Sequence, residues 1–178
     1  QGVFTQHGSG RYPWTAERTD TVSIDPIVPP LSGGYTGAVK NLALRKQARQ
    51  SSTSYGGTPE RAVDGNRDGN HNAGSVSHTG NVPNDWWEVD LGSQKQIQEI
   101  KLWNRTDCCS ERLSNFYVMV SPKPFSGGNL QSSLNDPSIW HFHHPGAAAR
   151  ETTVAVAGEG RYVRVQLAGQ NWLSLAEV

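Results

Sequence analysis

From Asn41 to its end, this chain repeats short runs of alternating apolar and polar residues, broken by clusters of Gly, Pro, Asn, Asp and Ser. That pattern commits it to a β fold, because a period of two places successive side chains on opposite faces of a strand. Trp86 to Gly92 alternates as a strand ending in a glycine turn, and Gln96 to Trp103 continues with period two. Phe116 to Val120 and Arg161 to Leu167 alternate in the same way, whereas no stretch holds a strong helical period and no internal repeat is present. The 19 glycines, 10 prolines and 18% charged residues suit a turn-rich β protein. The adjacent Trp86 and Trp87 read as core and interface packing.

The chain divides near residue 40. Residues 1–40 are rich in Gly, Pro, Ser and Thr and read as an extended linker or the tail of a preceding domain. Within them Thr21 to Ile24 is a candidate edge strand, and Tyr12 and Trp14 are candidates to dock on the domain. The remainder, 41–178, is long enough for one domain with a sizeable core. The chain begins at Gln1 rather than methionine and is read as part of something longer. Its formal net charge is zero, with no basic stripe for nucleic acid and no polybasic patch for acidic lipid. No apolar stretch approaches the roughly 20 residues a membrane span needs.

The two cysteines, Cys108 and Cys109, are adjacent. Across a trans peptide their Cα atoms stand about 3.8 Å apart, closer than the roughly 4.4–6.8 Å of ordinary disulfides. Taken alone, the pair is open to two readings: partly buried free thiols, or a strained eight-membered ring that staples no loop and presents a rigid knob of sulfur. Around the pair stands a wider pattern, His78-x26-Arg105-x-Asp107-Cys108-Cys109-x2-Arg112.

This pattern resembles the sugar-binding signature of the F-type lectins, the fucolectin family, and its histidine-to-arginine spacing is near the family's usual value. The resemblance implies that His78, Arg105 and Arg112 bind the ring oxygen and the 3- and 4-hydroxyls of α-L-fucose. It also implies that Cys108 and Cys109 form a disulfide packed against the sugar ring. The chemistry suits such a role. Arginines supply forked, permanently charged donors that each address two adjacent oxygens. His78 can donate or accept at a third position, and Asp107 can hold an arginine in its working rotamer. Tyr55 is the candidate wall for the 6-methyl group of the sugar, with His71 next. A disulfide kept for a purpose implies an oxidising compartment, hence a secreted or cell-surface protein.

The strands from 41 to 178 are similar to the discoidin, or factor 5/8 type C, jelly-roll β-sandwich, so the fold class is all-β. The resemblance is carried by Asn41 to Leu44, Ala62 to Asn66, Trp86 to Gly92, Gly160 to Arg164, and Leu175 to Val178. In such domains the closing strand runs further, so the resemblance implies one cut short at Val178. The family also implies one structural calcium ion. Its ligands, carried over by position, are the carbonyls of Arg61, Asn66 and Ala176, the carboxylates of Asp64 and Glu177, and Ser75. Loop 61–70 is rich in the hard oxygen donors calcium takes, although Asp-Gly and Asn-Gly pairs are also ordinary turn chemistry.

An enzyme is the competing class. No pair of acids has a spacing that implies the facing carboxylates of a glycosidase, and no nucleophile elbow is present. His141, His143 and His144 lack a further nearby ligand for zinc and read as a surface strand or loop. The exposed apolar spikes of phospholipid-binding discoidin domains have no counterpart. The expected partners are therefore fucosylated glycans, reached by a non-catalytic module joined to a catalytic, toxin or adhesin domain. The alternative is a galactose-type discoidin module appended to a glycoside hydrolase.

Overall fold

The computed structural model describes residues 39–178. The linker assigned to 1–40, with its candidate strand and docking aromatics, therefore lies outside the described residues except for Val39 and Lys40.

The described chain is built from β1 (Gln47–Gln50), β2 (Ser77–His78), β3 (Trp86–Asn104), β4 (Ser114–Ser121), β5 (Trp140–Ala147), β6 (Glu151–Leu167) and β7 (Ser174–Glu177). Every pairing is antiparallel, in the order β2-β7-β3-β6-β4-β5 with β1 added to β3. The two long strands serve both layers of a jelly-roll sandwich. Trp86–Asp90 of β3 pairs with β1 and with Tyr162–Gln166 of β6, which in turn carries β4 and β5. The far halves, Lys95–Trp103 and Glu151–Gly160, pair with each other, and β7 and β2 extend that layer from Trp103 and Asn104.

The glycine turn expected after Leu91 is thus a bend inside one strand. Gly92 has φ +87°, its N–H donates to Asp90 Oδ1 at 2.8 Å, and the register with β6 shifts between Asp90 and Lys95. A glycine at positive φ lets the ladder turn from one layer into the other without breaking.

The alternation sorts side chains as expected, but both faces of the five-stranded layer are covered. Trp87, Val89, Val118, Val163, Val165 and Leu167 fill the core between the layers, and Trp87 Nε1 donates to the Pro59 carbonyl at 2.9 Å. On the opposite face, Arg164 and Gln166 are fully buried. Part of the roof is α1 (Leu130–Leu134), where Leu130 and Leu134, with Phe125 and Ile139, cluster on Met119 and Tyr162. Under it Arg164 Nε and an Nη lie 3.0 and 2.8 Å from Glu88 Oε2, and its guanidinium centre lies 4.3 Å from the rings of both Trp86 and Phe125.

The histidine cluster lies on β5. His143 stacks on Tyr117 at 4.5 Å and bonds Asn115 Oδ1 at 2.8 Å, while His144 stacks on Phe116 at 4.9 Å. These imidazoles are engaged by aromatic and amide neighbours rather than converging on one point.

Candidate functional site

At the end of β3 a single buried side chain closes the base of the connection to β4. Asn104 Nδ2 donates to the carbonyls of Ser110 (2.9 Å) and Ala148 (3.3 Å), and its Oδ1 accepts from Arg105 N (2.8 Å). Arg105 then forks onto Asp107, Nε to Oδ1 at 2.7 Å and an Nη to Oδ2 at 2.9 Å. This bidentate pair holds the Asp107 carboxyl well below the usual carboxylate range. Cys108 and Cys109 are joined in a disulfide across a trans peptide, with Cys109 in the left-handed region at φ 61°. Cys108 is exposed and Cys109 half-buried, so the sulfur knob is open to solvent. A 3-10 turn, Ser110–Arg112, follows, and the guanidinium of Arg112 lies 4.3 Å over the ring of Trp172.

His78 closes β2. Its Nδ1 lies 2.7 Å from the Thr79 carbonyl, which can only accept, so in the neutral ring Nδ1 carries the proton and Nε2 keeps a lone pair. Burial pushes the imidazole below its ordinary value against the pull of that carbonyl, and nearby His71, Arg105 and Arg112 push it the same way. The strand end is clamped by the loop after β1: His78 N donates to Gly57 O and Ser54 N to His78 O, each at 2.9 Å. A Cβ on Gly57 would come within 2.5 Å of His78 N and Cβ, so only glycine fits there.

Tyr55 and His71 both meet the His78 ring edge-on, at 5.2 and 5.4 Å. Tyr55 is exposed with φ 51°, at the tip of the clamping loop. His71 donates its backbone N–H to Asp107 Oδ1 at 3.3 Å, and burial followed by Arg105 lowers its pKa. The structure thus places the expected sugar-site residues around one surface at the loop end of the sandwich.

Three supporting residues were not legible in the sequence: Asn104, Trp172 and Asp85. Asp85 is fully buried and accepts from Ser51 Oγ (2.5 Å), Ser52 Oγ (3.1 Å), Thr79 Oγ1 (3.0 Å) and Val82 N (3.2 Å). It therefore ties the loop carrying Tyr55 to the residue after His78. An aromatic in an otherwise polar turn, Gly169 to Trp172, is the one signal that singles out Trp172.

A second constellation lies where the 61–70 loop meets the closing strand. Glu177 is buried, its Oε2 accepting from Gly65 N (3.2 Å) and its Oε1 from Asn41 Nδ2 (3.4 Å). Burial raises its pKa to about 7, and the neighbouring Asp64 carboxylate adds to the rise while Arg67 opposes it. Asp64 Oδ1 accepts from Asn66 N at 2.7 Å. The Ser75 hydroxyl sits between the Asp68 and Asn70 carbonyls, 3.0 Å from the latter. Arg61 and Ala176 offer only carbonyl oxygen, and Val178 N binds Ala62 O at 2.9 Å, fastening strand to loop. Two carboxylates brought together beside carbonyl and hydroxyl oxygens form a hard donor set that fits a calcium-like cation. Among the described residues no group of three His, Cys, Asp or Glu side chains comes together as a metal site.

Comparison with known proteins places this geometry in context. A family model described as a NedA-like, galactose-binding domain of F5/F8 type C matches residues 61–165. Fucolectin-5 of Anguilla japonica is 35% identical over 158 residues, covering 78% of this chain and 74% of its own length. A Streptococcus pneumoniae fucose binding module superposes with a TM-score of 0.68 at 34% identity, covering 78% of this chain and 95% of its own. The lectin domain of lectinolysin, solved with Lewis B antigen, gives 0.67 at 38% identity over 78% and 94%.

Proposed function

This chain belongs to the fucolectin family of F5/F8 type C-like domains, and from that membership we propose that it binds terminal α-L-fucose on glycans, reversibly and without chemistry. One observation supports the reading: Arg105 and Arg112 stand close enough to His78 for their charges to act on its imidazole, with Asp107 already holding Arg105 in a fixed fork and an exposed vicinal disulfide between the two arginines in the chain. A sugar hydroxyl both donates and accepts. The N–H groups that Arg105 does not spend on Asp107, with those of Arg112, donate to sugar oxygens. The lone pair on His78 Nε2 accepts a hydroxyl proton. The cystine knob offers an apolar surface to the C–H face of the ring, and Tyr55 and His71 wall the 6-methyl group.

One calcium ion would be held by the carbonyls of Arg61, Asn66 and Ala176, the carboxylates of Asp64 and Glu177, and Ser75. When bound it would supply positive charge between two carboxylates and pin the 61–70 loop, which reaches the arginine loop through the bond from Thr106 N to Gly69 O at 2.8 Å. The vicinal disulfide supports an oxidising, extracellular setting. A shallow single site gains strength from multivalency or from tethering to an attached catalytic, toxin or adhesin domain.

The galactose-binding description of the matching family model is the observation behind a second reading, a galactose-type carbohydrate-binding module. Calorimetric titration with L-fucose and, in parallel, D-galactose separates the two. Saturable binding of fucose alone at one site per chain is expected. Silence with fucose in a folded, calcium-loaded sample would overturn the proposal.

A further inference from the structure

The two arginines of the site are oriented by different devices. Arg105 is gripped at its edge, spending Nε–H and one terminal N–H on Asp107. Arg112 has no carboxylate partner among the described residues, and its guanidinium lies against the face of Trp172 at 4.3 Å. A guanidinium held over an aromatic ring by its charge spends no N–H on a carboxylate, which leaves its N–H groups available to a ligand.

Trp172 is in turn anchored to the strand of the third binding residue. Its backbone N–H donates to Asn171 Oδ1 at 2.9 Å, and the next residue, Leu173, makes two bonds with Thr79: Thr79 N donates to the Leu173 carbonyl at 3.0 Å, and Leu173 N donates to the Thr79 side-chain Oγ1 at 2.9 Å. The Thr79 hydroxyl in turn donates a hydrogen bond to Asp85 Oδ2 at 3.0 Å. A path of hydrogen bonds therefore runs from buried Asp85 through Thr79 to Leu173, the residue after Trp172, whose ring lies under the Arg112 guanidinium.

We propose that Trp172, which lies outside the His-Arg-Asp-Cys-Cys-Arg pattern, is the positioning residue for Arg112. It sets that guanidinium in register with His78 and presents its donor edge to a sugar hydroxyl pair. This role rests on the fucose-binding reading above. It requires of residue 172 an aromatic face rather than mere apolar bulk.

The test compares the wild-type protein with Trp172→Leu and Trp172→Tyr, reading fucose affinity by calorimetry and the Arg112 Nε–H resonance by NMR. Trp172→Leu is expected to weaken fucose binding about fivefold and to abolish the ring-current shift of the Arg112 resonance; Trp172→Tyr is expected to retain most of both. Trp172→Gln replaces the leucine variant should that one fail to fold. Loss of affinity with the Arg112 resonance unmoved would mean that the indole acts on the sugar directly, and would overturn the inference. So would unchanged affinity in the leucine variant. A wild-type protein that bound no fucose would instead overturn the sugar-binding reading itself, and the role of Trp172 with it.

Discussion

Arg164–Glu88 and Arg105–Asp107 are the same chemical pair in opposite surroundings. The first is sealed between Trp86 and Phe125 with both partners almost wholly buried, and Arg164 also donates to the Gly127 carbonyl at 2.7 Å. The second stands at the rim of the loop end, where Asp107 also accepts from His71 N and solvent reaches both groups. Burial makes the first pair a matter of folding, because removing one partner strands a charge out of water. The second pair contributes little to folding and instead fixes the direction of a donor fork. An arginine paired with a carboxylate thus serves stability in one place and recognition in the other, and surroundings decide which.

The largest expected effect is on the buried pair. Arg164→Ala leaves Glu88 with only Arg49 and opens the space between two aromatic rings. It is expected to cost about 3–5 kcal/mol of stability in urea unfolding, a loss that saturating fucose leaves largely in place. Arg105→Ala should invert that profile, with fucose affinity falling about a hundredfold, as expected for lost charged hydrogen bonds, while the unfolding midpoint barely moves. Normal fucose binding by that variant would mean the site is wrongly assigned.

A smaller effect is expected from Gly57→Ala, whose new Cβ would press on the backbone of His78 at 2.5 Å. Displacing that strand end should weaken fucose binding about tenfold and cost roughly 1–3 kcal/mol of stability. Affinity equal to wild type would show that the clamp yields without moving the imidazole.

The mildest test is pH. Asp107, held far below the ordinary range by Arg105, stays charged throughout mild acid, so the titrating members of the site are the two histidines, and of these His78 is the one that offers an acceptor to the sugar. Its folded pKa lies below the usual 6.5. Protonation places a hydrogen on Nε2 and removes the acceptor. Affinity is therefore full at neutral pH and falls as pH drops through the lowered value. The unfolded chain takes up that proton first, so stability declines earlier, as pH falls from the ordinary 6.5 toward the lowered folded value. Affinity that rose on acidification would contradict the acceptor role of Nε2.

Much of this was legible in the residues. Alternation in Arg161 to Leu167 named the strand and correctly separated Val163 and Val165 from Arg164. It did not reveal that Arg164 and Gln166 are buried, since a period of two reports two faces and is silent about what covers them. The roof comes from a loop and a five-residue helix with no periodic signal of their own. Gly92 was read as the end of a strand because a glycine after an alternating run has the same local signature whether the chain turns back or bends onward. For the site, the resemblance to the F-type lectins singles out His78, Arg105, Asp107, Cys108, Cys109 and Arg112 by their spacing, and Tyr55 and His71 by the loops they stand on. Asn104, Asp85 and Trp172 were not legible, because each works through partners remote in sequence: Asn104 through Ala148, Asp85 through Ser51 and Ser52, and Trp172 through Arg112.

By itself, the sequence determined the all-β class, the strand faces and the set of side chains able to address a sugar, because periodicity, charge and donor type are properties of the residues. Tertiary structure alone decided which arginine is a buried strut and which a free fork, which nitrogen of His78 keeps its lone pair, and what Arg112 rests against. Those outcomes depend on dielectric surroundings and on contacts between segments far apart in the chain, and no local stretch of sequence encodes either.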